Sequence, residues 1–534
     1  MSKTQLQTAI LSHIPVLIVG GGPTGLMASI LLGRCGVPNL LVEKHAATSL
    51  FPKARRLRTR TMEILRVLGI EPEVRAQEEQ IGDLPLMLGG ESLGGPVRFR
   101  VEGDRRDEMY RYSPTTWALI PQDEVEPILR AHAERQETSD LRFGVELTGV
   151  SQDSESVTVD VLERASGERR SVRAEYLIAA DGAHSVVRKA AGIGMSADER
   201  LSRELNILFR ADLEPIRGAN RSVLFRVDND AVGGVIGMAG EGRWIFLCPE
   251  FPDATPERCA GFIRAAAGVP DLPVEIVAIS RWEWAAAMAH RFHAGRVFLA
   301  GDAAHRLTPA GAFGLNTGVQ DVHNLAWKLS GVLAGWAGAG LLDSYETERR
   351  PVAMRNVELS RHFWDSGLGA AVGYDLGFSY ESGALVPDGT GLPAVRDPVS
   401  EYVPTARPGS RAPHCRLSIQ PGVVSTIDLF DRDFVLLTDC GEEEWTSAAA
   451  RIAAEGVPLH SVQLRAEEWA ELYGVEPGGA VLVRPDGHVA WRARSAAGSN
   501  RAGWRELRSA VGRILYRPAA VDRRPAVSPS RSSP

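Results

Sequence analysis

Three glycines and one acid near the amino terminus carry the first chemical signal. Gly20, Gly22 and Gly25 stand in the run GGGPTG, between a short apolar stretch, Ile14 to Val19, and an apolar-periodic stretch, Leu26 to Leu32; Glu43 closes a second apolar run, Leu40 to Val42. The order reads strand, turn, helix, strand. In that setting the glycines have separate physical roles. Gly20 makes a tight turn, Gly22 lets a pyrophosphate approach the backbone, and Gly25 lets helix and strand pack closely. The helix start at Pro23 and Thr24 presents free N–H groups to phosphate. Glu43 follows Gly20 at a spacing suited to an acid that accepts hydrogen bonds from an adenosine ribose. The pattern points to a bound dinucleotide and does not separate FAD from NAD.

Two further turns follow apolar runs. Tyr176 to Ala180 leads into Asp181-Gly182-Ala183-His184-Ser185, with Arg188 three residues after the serine. Locally this is an Asp-Gly turn before a serine-started helix. Arg296 to Ala300 (RVFLA) leads into Gly301-Asp302-Ala303-Ala304-His305. An aspartate at a strand end, followed by small residues, can accept hydrogen bonds from a ribityl chain or ribose while the backbone approaches a flat ring. Each turn alone is ordinary; three in this order are not easily explained as ordinary turns.

The order GGGPTG, then Asp181-Gly182 with Ser185 and Arg188, then GDAAH resembles the single-component flavoprotein aromatic hydroxylases, the class of p-hydroxybenzoate and phenol hydroxylases. PKARRLRTRTMEILRVLGI (Pro52 to Ile70), GAFGLNTGVQDVHNLAWKL (Gly311 to Leu329) and LLDSYETERRPVA (Leu341 to Ala353) resemble segments of the same class. The likeness covers residues 14 to 365 and extends to the C-terminal domain. The nearest subgroup is the bacterial hydroxylases of anthracycline, angucycline and tetracenomycin-type polyketides.

The resemblance implies bound FAD, with Gly20, Gly22, Pro23, Thr24, Gly25, Glu43 and Lys44 on its ADP half. Lys53 and Arg60 are further cofactor candidates, Lys53 replacing the arginine of the family's P-R-A motif, which keeps the charge and loses a bidentate contact. Gln122, in LIPQDEVEPIL, is placed at the ribityl region, Asp181 toward the pyrophosphate or nicotinamide-facing side, and Asp302 on the ribityl chain. Pro309, Gly311, Phe313, Gly314, Leu315 and Asn316 are placed against the isoalloxazine ring, with Ala312 where the family has a second glycine. The helix that follows would bring a positive dipole toward flavin N1 and the C2 carbonyl. The implied reaction is hydroxylation of an aromatic substrate with NAD(P)H and O2 through a C4a-hydroperoxyflavin in a water-excluding site. With no second dinucleotide fingerprint in the chain, NAD(P)H is expected to bind transiently. Trp117, Phe225, Trp282 and Trp284 are candidate substrate contacts, each also readable as core. No catalytic acid or base is assigned, and His305 is read as structural near the flavin.

The elements that must position these residues set the fold class: α/β, a Rossmann-like FAD-binding domain (13–200 and 285–385) with an inserted antiparallel-sheet substrate domain (201–284), long helices and a C-terminal thioredoxin-like domain (414–516). The insertion is read from ILFRADL, SVLFRV, GGVIGM and RWIFLCP, short runs separated by turn formers. Helices are expected at Thr61 to Leu68, Asp123 to Ala133 and Leu315 to Leu333, the last with Val319, Val322, Leu325, Ala326, Leu329 and Val332 on one face. Val386 to Pro413, rich in Pro and Gly, reads as a linker. The C-terminal domain reads strand, helix, three strands, helix, and Cys440 after DFVLLTD is a lone thiol unsuited to dithiol exchange. Residues 1–12 and 517–534 read as disordered.

Composition narrows the classes. The 534 residues are 44% hydrophobic and 24% charged with a net charge of -7, which excludes extended disorder and offers no electrostatic case for nucleic acid or an anionic membrane as partner. Five scattered cysteines without a C-x-x-C pair argue against a disulfide framework or a metal site and for a reducing cytoplasm. No export signal or membrane span is read. The oligomeric state stays open, a homodimer being compatible with the sequence. Other readings are a flavin halogenase, although WEWAAAM has Ala286 and Ala287 where W-x-W-x-I-P needs Ile and Pro, an FAD reductase working without oxygen, and a non-catalytic flavoprotein. Epoxidation, Baeyer–Villiger insertion and multi-step oxidation stay open too.

Overall fold

The computed structural model describes residues 13–79, 82, 84–196, 199–240, 242–367, 369–420, 423–465, 467–496 and 500–517. The ends expected to be disordered lie outside these residues, except Arg517, whose N–H donates to the Gly512 carbonyl.

Continuous apolar runs, as in VLIV, LLV, YLIA and VFL, form the middle of the first sheet, as expected where both faces are covered. Its central strands lie in the order Val297–Leu299, Arg169–Ala179, His13–Val19, Asn39–Glu43, Ser139–Phe143, all parallel. Val19 pairs with Val42 and with Ala179, and Ala179 pairs with Leu299. The register therefore ends three strands on one line, and the three motif turns leave the sheet side by side at its carboxyl edge, where α/β sheets bind ligands. Helix Pro23–Arg34 packs against helices Gln122–Arg135 and Gly314–Leu333.

The second sheet runs in the order His305–Arg306, Glu275–Met288, Glu199–Arg210, Arg243–Pro249, Gly233–Met238, Leu224–Asp228, Met87–Gly90, Val97–Val101. It reaches beyond the stretch 201–284. Met87–Gly90 and Val97–Val101 come from the first segment of the chain, and Met87–Gly90 joins parallel to Leu224–Asp228. These two strands escape sequence reading because one is half glycine and the other alternates arginine with apolar residues that stay exposed.

The C-terminal sheet has the order Leu459–Leu464, Phe434–Asp439, Ala480–Val483, Val489–Ala493, with the first pair parallel and the rest antiparallel. Helix Glu467–Tyr473 adds to the expected order of elements. The stretch 386–413 lacks regular elements, yet it is no solvated linker: Tyr402, Ala406, Arg411 and Ala412 are buried. Arg411 is anchored by a buried ion pair to Glu63. No helix among the described residues is long and apolar enough to cross a membrane.

Candidate functional site

The three turns interlock. Gly20 has φ +111°, and a side chain there would strike the Ala180 carbonyl; a side chain at Gly25 would strike the Gly20 carbonyl. The Gly20 N–H donates to Val42 O (2.9 Å) and the Ala180 N–H to Val19 O (2.8 Å). Thr24 lies where a Cβ on Gly301 would meet its hydroxyl at 2.7 Å, and the Arg188 guanidinium donates to Ala303 O (3.1 Å). Helix Pro23–Arg34 begins without a side-chain cap, so its first N–H groups are left for another acceptor. Glu43 turns its carboxylate onto the same turn, accepting from the Gly21 N–H at 2.7 Å and from the His45 backbone at 2.8 Å.

These turns border a cavity of ≈ 660 Å³ between the two sheets. On the glycine side it is lined by Gly22, Pro23, Thr24, Lys53, Gln122, Asp302, Pro309, Gly311, Gly314 and Leu315. On the sheet side it is lined by Leu86, Val223, Leu224, Ile245, Leu247, Trp282 and Trp284. A larger open groove of ≈ 1130 Å³ lies elsewhere along the second sheet, lined by groups such as Glu79, Glu124, Asp212 and Arg243. None of the motif turns borders it, and Arg243 is already paired with Asp123 and Glu124 at 2.7 Å each, so the cavity bordered by the three turns is the candidate site.

Several expected site residues stand behind the wall or away from it. Phe313 is buried, stacked with Phe363 at 6.2 Å, and Asn316 is buried, donating to the Arg56 and Ala312 carbonyls and accepting from the Arg58 N–H. Asp181 is spent locally, accepting from Ser185 Oγ and from the Val186 and Val187 N–H groups at the start of a short helix. Lys44 is exposed to solvent. Arg60 does not line the cavity: its guanidinium is buried against Glu63 (2.8 Å) and the Asp486 carbonyl (2.6 Å) in the C-terminal domain, because its position on helix Thr59–Val67 faces that domain. Trp117 is held between the guanidinium groups of Arg56 and Arg106, its ring N–H on the Asp104 carbonyl, and is absent from the wall. Phe225 is 2% exposed in the core of the second sheet. Its neighbour Leu224 faces the cavity instead, since successive strand residues alternate faces.

The wall also contains residues that sequence reading missed, above all Arg55, Arg56 and Arg58. Arg56 pairs with Asp104 at 2.9 Å, and Arg58 donates to the Gly311 and Ala371 carbonyls. A run of arginines at alternate positions, flanked by apolar residues, was the signal that could have found them. Gln122 holds this segment by accepting from the Ala54 N–H at 3.2 Å while donating to Glu126 at 2.6 Å.

Behind the third turn lies a buried ionic chain. Asp321 accepts from the Gly301 N–H (3.1 Å), His305 Nε2 (2.6 Å) and Arg349 Nε (2.9 Å). Burial alone would raise its carboxyl, but His305 and Arg349 hold it below its usual range. His305 is held in this buried chain by its bond to Asp321. Asp302 itself lines the cavity with an exposed side chain and no protein hydrogen bond among the described residues.

Uncapped helix N–H groups, an open position at Gly22 where a Cβ would meet no protein atom within 4 Å, and an unpartnered Asp302 suit a long polyhydroxylated diphosphate. Fold and site together define a dinucleotide-dependent oxidoreductase scaffold. Residues 13–360 match the family described as FAD binding domain, and residues 405–518 match the aromatic-ring hydroxylase C-terminal domain. The chain belongs to the FAD-dependent aromatic-ring hydroxylases. It is 38% identical to tetracenomycin B2 monooxygenase-dioxygenase of Streptomyces olivaceus, over 95% of this chain and 99% of that one. Among solved structures it resembles the flavin-dependent monooxygenase PieE in complex with FAD and substrate (35% identity, TM-score 0.88, covering 95% of this chain and 99% of that one). It also resembles aklavinone-11 hydroxylase with FAD and aklavinone (34% identity, TM-score 0.86, covering 94% and 99%).

Proposed function

We propose that this protein hydroxylates a polycyclic aromatic polyketide, using bound FAD, NAD(P)H and O2. The observation that carries the reading is the meeting of three strand-end turns on one side of a cavity whose other side is a sheet presenting Leu224, Ile245, Leu247, Trp282 and Trp284 beside Asn206, Arg281 and Glu283. When bound, FAD supplies reduction by the nicotinamide and activation of oxygen, which side chains cannot.

The chain's own residues bind, orient and exclude water. The backbone at Gly22 and the helix start at Pro23 and Thr24 would take the diphosphate, Glu43 the adenosine ribose, and Asp302 the ribityl hydroxyls. The start of helix Gly314–Leu333 has no side-chain cap, and its positive end opens at Gly314 and Leu315 on the cavity, which favours negative charge there. Lys53 stands on the same wall with its ammonium 5.9 Å from the Trp282 ring centroid. Leu86, Val223, Leu224, Ile245 and Leu247 provide the dry side, where a flat aromatic would lie. The C-terminal unit reads as thioredoxin-like from its strand order, and Cys440, exposed and free, is given no redox part.

The test is turnover. Purified holoprotein should oxidise NADPH or NADH faster with hydroxyanthraquinones present, and the product should gain one atom of 18O from labelled O2. Oxidation that needs chloride, or no nicotinamide oxidation with any aromatic, would sink the hydroxylase reading. A second expectation concerns Asp302. In Asp302→Ala the apoprotein should be as stable as wild type, since the side chain is exposed and makes no protein hydrogen bond among the described residues. Flavin binding should weaken by roughly 1.5–3 kcal/mol, the usual worth of hydrogen bonds to a charged group. Fluorimetric FAD titration beside thermal melts separates the two effects.

A further inference from the structure

Four arginines follow one another in the segment after the second strand, and three have carboxylate partners. Arg56 pairs with Asp104, Arg58 stands 3.5 Å from Asp104 and 3.6 Å from Asp375, and Arg60 pairs with Glu63. Arg55 makes no ion pair among the described residues. Its hydrogen bond is a single donation from Nη1 to the Met238 carbonyl at 3.0 Å, and it lines the cavity. Its backbone is fixed, since its carbonyl accepts from the Ile120 N–H at 3.0 Å.

The sheet opposite is shaped around this guanidinium. Gly237 pairs with Leu224 on one neighbouring strand and with Ile245 on the other, and both of these line the cavity. A side chain at Gly237 would collide with Arg55 Nη1. The guanidinium therefore occupies the gap left by a missing side chain in an otherwise apolar row. Burial lowers its pKa to about 10, and the acid acting against this, Glu79, lies beyond ion-pair distance and is itself pushed up by burial. A buried guanidinium whose one acid lies beyond ion-pair distance, and which keeps an N–H edge on the cavity, is stabilised by an anion that a ligand brings.

We propose that Arg55 is a specificity-determining residue that binds a carboxylate carried by the aromatic substrate. With one Nη1 bond given to Met238, the remaining N–H edge of the fork can still make two parallel bonds to a carboxylate. The inference rests on the aromatic-substrate reading above and narrows it to acids.

Holoprotein, checked for flavin content, is titrated with two isosteric probes, anthraquinone-2-carboxylate and anthraquinone-2-carboxamide, following tryptophan and flavin fluorescence. Wild type is expected to bind the carboxylate more tightly by on the order of 10- to 100-fold. Arg55→Met should abolish that preference while leaving the carboxamide Kd within about twofold, and Arg55→Lys should restore part of it. Gly237→Ala displaces the guanidinium without removing the charge, and should also reduce the preference. Equal binding of both probes by wild type, or an undiminished preference in flavin-loaded Arg55→Met, would overturn the role of Arg55 alone. Failure of wild type to bind either probe would overturn the aromatic-substrate reading and this inference with it.

Discussion

Replacing Gly22 by alanine should leave the melting temperature of the apoprotein unchanged and yet yield a colourless protein. An added Cβ at Gly22 meets no protein atom within 4 Å and enters the space beside the uncapped helix start. Extended backbone at φ -76° suits alanine, so folding has nothing to resist. What the methyl group occupies is the approach path of a diphosphate to the backbone. Gly25→Ala should behave differently, because its Cβ would overlap the Gly20 carbonyl, an atom of the protein's own turn. Helix and turn must then separate, at roughly 1–3 kcal/mol for an overpacked interior. Both variants should lose flavin by ten- to a hundredfold or more, the range that about 1.4–3 kcal/mol of lost binding spans. Only Gly25→Ala should also lose stability. FAD titration and differential scanning calorimetry on the pair decide the matter, and a yellow Gly22→Ala protein with wild-type affinity would refute the diphosphate assignment.

The second large effect lies outside the cavity wall. Glu348 is completely buried and accepts from Lys328 (2.8 Å), Asn324 (2.6 Å), Ser382 (2.6 Å) and both Nη groups of Arg484 (2.7 and 2.8 Å). Arg484 belongs to the C-terminal domain and also pairs with Asp486. Arg484→Met would leave buried Asp486 without its arginine and Glu348 with Lys328 as its remaining cation, with an expected loss of roughly 3–5 kcal/mol in urea unfolding. By contrast, cutting the exposed pair Arg164–Glu146 should cost at most about 1 kcal/mol. Since Arg349, next to Glu348, holds Asp321 and through it the Gly301 turn, flavin retention should fall too. An Arg484→Met protein within about 1 kcal/mol of wild type would show that the network is dispensable.

The same buried groups set the acid limit. Burial would raise the Glu63 carboxyl, but Arg411 and Arg60 hold it at about 2 against its ordinary 4.5. Its contribution is therefore full above pH 4.5 and is lost as pH falls toward 2. Burial holds the His488 imidazole at about 4 against its ordinary 6.5, so the unfolded chain takes up that proton first and stability declines as pH falls from 6.5 to 4. Melting temperatures should begin to drop below pH 6.5 and fall more steeply below 4.5, where the carboxylate joins the imidazole.

How much of this was legible in the chain depends on the range of the interactions. The glycine turn, the Asp-Gly turn and the GDAA turn could be read because each is local: an apolar run ends, a residue type that tolerates an unusual backbone follows, and a helix begins. The long helix Gly314–Leu333 was readable for the same reason, from its periodic apolar face. Other features were settled only by partners distant in sequence. Leu224 rather than Phe225 faces the cavity because Leu224–Asp228 takes its register from Met87–Gly90 and Gly233–Met238, and a shift of one residue exchanges the two faces. Arg55 lines the cavity while Arg60 turns to the C-terminal domain because the first lies in an extended stretch pinned by Leu119 and Ile120, and the second on a helix. Arg411, in a stretch that reads as linker, is buried by its ion pair with Glu63, 348 residues earlier in the chain. Local backbone chemistry is written in neighbouring residues. Which face a side chain presents, and which charge it meets, exists only once strands from distant parts of the chain have paired.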